Sequence, residues 1–139
     1  MAAGKWIVDA SVVIKWYVPE EGSTQASAIL ASDDPLLAPD LLVAEFGNIL
    51  WKKVRRGEIS VDEAEEILDT FVTTAPVTLY PANLLICAAF DIASRFGRTV
   101  YDALYLALAV SEEGVLMTAD ETLSHALRGT PLEPAVRPL

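Results

Sequence analysis

Short apolar runs that alternate with longer helical segments limit the folds open to this chain. The first run covers residues 6–8, and the others cover residues 36–38, 77–80 and 115–117. β-branched and aromatic residues occur together in residues 6–8 without polar alternation, which predicts a strand that is buried on both faces. Strands that alternate with helices predict an α/β sandwich with a mostly parallel central sheet.

Capping signals mark where several helices begin and end. Ser60 and Glu63 have the spacing of a capping box, and Ser23 is the predicted N-cap of a short helix. Gly57 and Gly97 are predicted to close the helices that precede them. The predicted helices cover residues 12–17, 23–31, 41–56, 60 to about 73, 84–96, 103–110 and 121–127.

Acidic residues follow two of the predicted strands. Asp9 comes directly after residues 6–8, and Asp120 comes shortly after residues 115–117. Ligands of open parallel sheets gather beyond the carboxyl ends of the strands, so both acids are candidate site residues. Each acid also stands where Asp is a favoured helix N-cap, and capping alone explains either one taken singly.

Two further acids lie on predicted helices. Glu45 falls with Asn48 and Lys52 along one line at the edge of an apolar stripe, so its charge needs a partner, and Lys52 is one candidate. Asp102 lies in the first turn of the helix that contains residues 103–110, which is apolar on nearly every side and is expected in the interior. A capping box with Thr99 is the simpler explanation for Asp102.

If these four carboxylates converge, their mutual repulsion favours either raised pKa values or bound cations. No Cys or His joins the set, and oxygen ligands alone select Mg²⁺ or Mn²⁺ over zinc. A hard divalent cation held by carboxylates suits phosphoryl chemistry, because it polarises a phosphate oxygen and activates water.

The composition is that of a globular protein, and its acidity weighs at first against a nucleic-acid partner. The 139 residues are expected to form one domain, residues 1–139, and the formal net charge is −10. Six acids, however, are concentrated around one predicted helix: Glu58, Asp62, Glu63, Glu65, Glu66 and Asp69. The longest apolar run, residues 103–110, is too short to cross a bilayer, and a single Cys87, expected in the core, fits a reducing cytoplasm.

Basic residues are concentrated at the end of the predicted helix 41–56. Positive charge there complements the helix dipole, which is a sufficient explanation, but these side chains are also candidates for gripping a phosphate backbone. The residues are Lys52, Lys53, Arg55 and Arg56. Arg95 and Arg98 flank Gly97, and the sequence does not decide whether either one faces solvent or an anionic ligand.

Four segments together resemble the motifs of PIN-domain ribonucleases, and in particular the VapC toxins of bacterial and archaeal toxin–antitoxin pairs. The segments are Val8-Asp9-Ala10-Ser11, residues 39–45 with Asn48, residues 101–107 and residues 116–121. Their order and separation match that family from about Trp6 to Leu127. Each motif alone is weak, and the specificity comes from the set of four.

The resemblance implies a three-layer α/β/α fold and a Mg²⁺- or Mn²⁺-dependent endoribonuclease that forms a homodimer and is inhibited by a cognate VapB-like antitoxin. It implies that Asp9, Asp102 and Asp120 are metal ligands and that Glu45 completes the acidic cluster. Ser11, Asn48 and Thr118 are candidates to hydrogen-bond the carboxylates or the scissile phosphate. Candidates to hold RNA are Lys15, Lys52, Lys53, Arg55 and Arg56.

Two other functions stay open at the level of sequence. One is a non-catalytic PIN-like module that binds RNA or protein, in which the acids only cap helices or hold a structural ion. The other is a phosphoacceptor signalling domain, which is disfavoured because Ala10 and Ser11, and no second acid, follow Asp9. Trp51, Leu68 and Phe71 are expected to be exposed apolar residues available to a dimer interface.

Overall fold

The computed structural model describes residues 4–139, and its centre is a five-stranded, all-parallel sheet. The strands are β1 Trp6–Val8, β2 Leu36–Pro39, β3 Thr78–Tyr80, β4 Val115–Thr118 and β5 Val136–Pro138, in the spatial order β3-β2-β1-β4-β5. The predicted α/β fold with a mostly parallel sheet is therefore confirmed.

Within residues 4–139, seven α-helices and one short 3₁₀ segment connect and cover the strands. The helices are α1 Ala10–Tyr17, α2 Ser23–Ala31, α3 Leu41–Arg55, α4 Val61–Thr74, α5 Ala82–Phe96, α6 Val100–Ser111 and α7 Glu121–Ala126, and the 3₁₀ turn is Glu133–Ala135. Between residues 4 and 139, none of the helices has the length and hydropathy needed to span a membrane.

The chain reverses its direction across the sheet between β1 and β4, which are neighbours. From β1 it moves outward to β2 and β3, then returns past β1 to β4 and β5. Right-handed crossovers place α1 to α4 on one face and α5 to α7 on the other, giving three layers. The reversal opens a crevice at the carboxyl ends of β1 and β4.

The core is built around β1, β4 and α6. Ile7, Val8 and Leu116 are fully buried in the two central strands, and all seven residues of 103–109 in α6 are buried, as its uniform hydropathy predicts. On the opposite face, Phe46 of α3 stacks against Phe71 of α4 with ring centroids 4.8 Å apart.

Several local predictions are confirmed. Ser60 and Glu63 form the expected capping box, with both hydrogen bonds at 3.0 Å. Thr99 accepts the first-turn N–H of Asp102, and Gly97 ends α5 with a φ of 66°.

Other local predictions are wrong. The N-cap of α2 is Gly22, and the hydroxyl of Ser23 instead accepts the backbone N–H of Glu20. Cys87 is exposed on α5, because it falls on the face of that helix that points away from the sheet. Phe71 is only 5% exposed, so it belongs to the core and is not interface material.

The acidic helix begins at the predicted capping box, but one of the six acids grouped with it lies outside it. Glu58 lies before α4 and forms an ion pair with Lys53, so only five of the six acids lie on the helix itself.

Candidate active site

The carboxyl ends of β1 and β4 open into a cavity of about 280 Å³ that brings the four predicted acids together. Asp9 enters from the end of β1, Asp120 from the turn after β4, Glu45 from α3 and Asp102 from α6. The cavity is lined by Asp9, Ala10, Ser11, Glu45, Asn48, Ile49, Lys52, Asp102, Tyr105, Leu116, Asp120 and Leu123.

Asp9 is held by two hydroxyl groups on opposite sides of its carboxylate. Ser11 donates to Oδ1 and Thr118 donates to Oδ2, both at 2.5 Å. Each hydroxyl oxygen is fixed in turn by a backbone N–H of the turn after β4, Ala119 to Ser11 and Asp120 to Thr118, both at 3.0 Å. The same carboxylate also caps α1, since Oδ1 accepts the N–H of Val12 at 3.3 Å.

Burial raises the pKa of Asp9, although the hydrogen bonds from Ser11, Thr118 and the backbone act in the opposite direction. Thr118 is completely buried, and it is the one buried polar residue in the described core. This buried hydroxyl both donates and accepts a hydrogen bond, so it holds one carboxylate oxygen of Asp9 in a defined position.

Asp120 combines a capping role with a place in the cavity. Its Oδ1 accepts the backbone N–H groups of Thr122 and Leu123 at 3.0 and 3.3 Å, which makes it the N-cap of α7. The capping explanation for Asp9 and Asp120 is therefore correct, and it leaves each side chain in the cavity wall.

Glu45 is half-buried, and its partner is Tyr105 of α6. The phenol donates to Oε1 at 2.5 Å, whereas the ion pair with Lys52 that the sequence suggested does not form. Burial raises the pKa of Glu45, the Tyr105 hydrogen bond opposes that rise, and the charges of Asp9 and Asp102 add to it. Sequence reasoning missed Tyr105, although it supplies the hydroxyl three residues after Asp102 in an otherwise apolar helix.

Asp102 is held by Arg98, which lies one turn earlier in the chain. Nη2 of Arg98 donates to Oδ2 of Asp102 at 3.1 Å, and both side chains are largely shielded from solvent. The capping box with Thr99 is incomplete, because the Asp102 carboxylate turns to Arg98. The two arginines therefore differ in environment: Arg98 contacts an acid of the cavity, whereas Arg95 forms a solvent-exposed ion pair with Asp91.

The donor set of the cavity suits a hard divalent cation, but the ligand positions are not fully preassembled. All the acidic donors are carboxylate oxygens, and Asp9 and Asp102 both raise the pKa of Glu45 through their charge, a repulsion that a cation relieves. Over residues 4–139, no three acidic, His or Cys side chains are already close enough to hold one ion. The oxygen-only donor set is compatible with a hard cation such as Mg²⁺, which keeps several water ligands and takes only one or two carboxylates directly.

The five basic candidates fall into three positions. Lys52 lines the acidic cavity, and it also lines a neighbouring groove with Lys15, Lys53 and Arg56. Arg55 lies elsewhere, with its guanidinium 5.1 Å from the centroid of the Trp51 ring. Asn48 is on the exposed rim of the cavity.

Comparison with known proteins gives one family. Residues 6–127 match the PIN domain family. The chain is 41% identical over 123 residues to Ribonuclease VapC3 of Pyrobaculum aerophilum, an overlap that covers 86% of this chain and 92% of the relative.

Solved structures share the fold at lower sequence identity. PAE2754 from Pyrobaculum aerophilum superposes with a TM-score of 0.67 at 24% identity, covering 92% of this chain and 83% of the other. A chain of the VapBC2 complex from Rickettsia felis, which was crystallised with a DNA fragment from the promoter of these proteins, superposes with a TM-score of 0.63 at 11% identity. The superposition covers 96% of this chain and 98% of the other. At these sequence identities, the two similarities show a shared fold and nothing further.

Proposed function

This chain belongs to the PIN domain family, and on that premise we propose that it is a metal-dependent endoribonuclease, the toxin of a VapBC-type toxin–antitoxin pair. The observation that carries the proposal is the convergence of Asp9, Glu45, Asp102 and Asp120 on one cavity at the reversal point of the sheet. The relative that is 41% identical over 123 residues bears the name ribonuclease, which supports the same activity here.

Each side chain has a distinct part in this proposal. Asp9, Asp102 and Asp120 hold the cation directly or through water, and Glu45 completes the cluster. Bound there, a divalent cation supplies the charge that polarises the scissile phosphate and lowers the pKa of an attacking water. We favour Mg²⁺ or Mn²⁺ because oxygen ligands alone select hard cations.

The surrounding residues keep these carboxylates in position. Ser11 and Thr118 fix the two oxygens of Asp9, and Tyr105 fixes Glu45. Asn48 at the rim offers an amide to the RNA, and Lys52 offers a positive charge to a phosphate next to the acids.

The proposal extends to partners and location. A cognate VapB-like antitoxin inhibits the enzyme, which acts in the cytoplasm as a homodimer and as a single domain. Large apolar side chains that are exposed on α5, among them Leu84 at 75% and Phe90 at 64%, support a homodimer because a monomer gains nothing from exposing them.

A non-catalytic PIN-like module that binds RNA or protein is the second candidate. It is favoured by one observation, that the carboxylates of Asp9 and Asp120 already serve as helix caps.

The test is cleavage of a pool of structured RNAs by purified, partner-free protein with Mg²⁺ or Mn²⁺. EDTA and Asp9→Asn are expected to abolish cutting, while the matched control Asp69→Asn, an exposed acid on α4, keeps it. Calorimetry with Mn²⁺ accompanies the assay. Metal binding without any cutting favours the non-catalytic module, and the absence of both cutting and metal binding overturns the metal site itself.

A further inference from the structure

A basic groove adjoins the acidic cavity. It has a volume of about 320 Å³ and shares three wall residues, Ser11, Ile49 and Lys52, with the cavity. An RNA strand bound across the four carboxylates can therefore continue into the groove without leaving the protein surface. The charged residues in the wall of the groove are Lys15, Glu20, Lys52, Lys53 and Arg56.

Glu20 is the one acid in the wall of this groove, and two lysines hold it. Lys15 of α1 donates to Oε1 at 3.0 Å, and Lys53 of α3 donates to Oε2 at 3.1 Å. Both lysine side chains line the groove and are only 12% exposed, and the ammonium group of Lys15 also donates to the backbone carbonyl of Glu21 at 2.6 Å. One carboxylate thus bridges two cations that come from different helices.

The local charge differs in sign from that of the whole protein. Four cationic side chains line the groove against one carboxylate in its wall, although the chain carries a formal charge of −10. Glu58, which is not part of the wall, contacts Lys53 at 3.3 Å and Arg56 at 3.9 Å from outside. Within the described chain Lys52 forms no ion pair, so it presents a free positive charge where groove and cavity meet.

A carboxylate between two ammonium groups has the charge and the two-oxygen geometry of a backbone phosphate. We propose that this groove binds a phosphate of the RNA strand that flanks the scissile one, and that Glu20 occupies this phosphate site while RNA is absent. The inference rests on the proposed function, since it supplies the substrate-binding surface of the same site. Binding of RNA then exchanges the Glu20 carboxylate for a phosphate on Lys15 and Lys53.

If this exchange occurs, removing the charge of Glu20 is expected to raise the affinity for RNA. Replacing Glu20 with the neutral Gln removes the internal competitor, so RNA binds about fivefold more tightly even though the protein loses two ion pairs. A purely structural ion pair predicts unchanged or weaker binding. Lys53→Gln removes a phosphate contact, which weakens RNA binding. It also makes the negative slope of log affinity against log salt less steep by about 0.7.

The matched control is Glu112→Gln. Glu112 also forms an ion pair with a lysine, Lys5, at 3.1 Å, but it lies outside both the groove and the cavity. Neutralising it changes the net charge of the protein by the same amount as Glu20→Gln. Any difference in RNA affinity between the two variants therefore depends on the position of the removed charge and not on the net charge of the protein.

The experiment titrates full-length protein into a short, fluorescently labelled single-stranded RNA, with Ca²⁺ in place of Mg²⁺ and a gel to show that the RNA stays intact. Tighter binding by Glu20→Gln with no change in Glu112→Gln supports the proposal. Equal effects of the two variants, or weaker binding by Glu20→Gln, overturn it. Inorganic phosphate at matched ionic strength is the second probe, and groove binding of free phosphate as tight as that of RNA overturns the assignment to a strand.

Cleavage of RNA by the wild-type protein with Mg²⁺ separates this proposal from the proposed function. If the wild type cuts RNA and the two variants bind it alike, the groove assignment fails and the nuclease stands. If the wild type neither binds nor cuts RNA, the proposed function itself fails.

Discussion

The hydroxyl of Thr118 donates to Oδ2 of Asp9 at 2.5 Å, and thereby links the carboxyl ends of β4 and β1. The two residues are 109 positions apart in the chain. The Thr118 oxygen also accepts the N–H of Asp120 at 3.0 Å, so one buried hydroxyl fixes one acid and the backbone of another.

Thr118→Val tests this link, because it keeps the shape of the side chain and removes the hydroxyl. We expect a loss of roughly 1–3 kcal/mol in the free energy of unfolding, since the carboxylate of Asp9 loses a donor and the N–H of Asp120 loses its acceptor. RNA cleavage falls because Asp9 loses a donor. Thr118→Ser keeps the hydroxyl and is expected to retain cleavage. Urea unfolding and the RNA assay check both variants, and full cleavage by Thr118→Val contradicts the prediction.

Arg98→Gln is expected to lower RNA cleavage by about tenfold or more, because Asp102 loses the group that orients it. The matched control is Arg95→Gln, which breaks another pair of the same spacing and the same 3.1 Å length, but an exposed one. That control changes the free energy of unfolding by at most about 0.5 kcal/mol and leaves cleavage unchanged. Arg98→Lys restores part of the activity. Equal kinetics for Arg95→Gln and Arg98→Gln rule out an orienting role.

The ion pairs of Glu20 predict a pH-dependent contribution to stability. Burial raises the pKa of Glu20, but the hydrogen bonds and charges of Lys15 and Lys53 outweigh it and hold the pKa below the ordinary value of 4.5. The charged form is therefore stabilised by folding, and this stability is present at neutral pH and lost as the pH falls below 4.5.

The measurement compares wild type with Glu20→Gln in urea across this range. At neutral pH the wild type is expected to be more stable by about 1 kcal/mol, and the difference shrinks as Glu20 becomes protonated. A difference that stays constant through acid pH contradicts a charged Glu20 between the lysines. The variant is thus expected to be less stable than the wild type at neutral pH while binding RNA more tightly.

Two glycines are expected to respond to Ala in opposite directions. A Cβ at Gly114 lies 2.7 Å from the carbonyl oxygen of Lys5, which cannot retreat because the strand that follows Lys5 pairs with β4. Gly114→Ala therefore destabilises the protein by roughly 1–3 kcal/mol. Gly47 lies within α3 with nothing within 4 Å of a Cβ, so Gly47→Ala stabilises by about 0.5–1 kcal/mol. Thermal unfolding checks the pair, and a change of the same sign in both variants contradicts it.

Signals that lie within a few residues of each other were predictable from the sequence. Ser60 and Glu63 form their capping box, Gly97 closes α5, and the apolar run in α6 is interior. The order of strands and helices predicted the parallel sheet, and the acids after β1 and β4 predicted the edge of the sheet at which they line one cavity. In the capping and helix cases, the interacting groups are close in the chain or follow a fixed periodicity.

The partners of the acids were decided by tertiary structure. Sequence reasoning offered Lys52 for Glu45 because both lie on one helix, but Tyr105, 60 residues away, provides the hydrogen bond. Cys87 and Phe71 were misplaced for a related reason: which side of a helix is buried depends on what packs against it.

The sequence by itself determined the elements and the supply of four carboxylates, because hydrogen bonding within a helix turn and the period of apolar residues are local properties. Only the tertiary structure decided that Thr118 holds Asp9 and that Lys53 joins Lys15 at the carboxylate of Glu20. Those contacts exist because the crossover connections bring β4 beside β1 and pack α3 against α1. Spacing along the chain does not contain that arrangement.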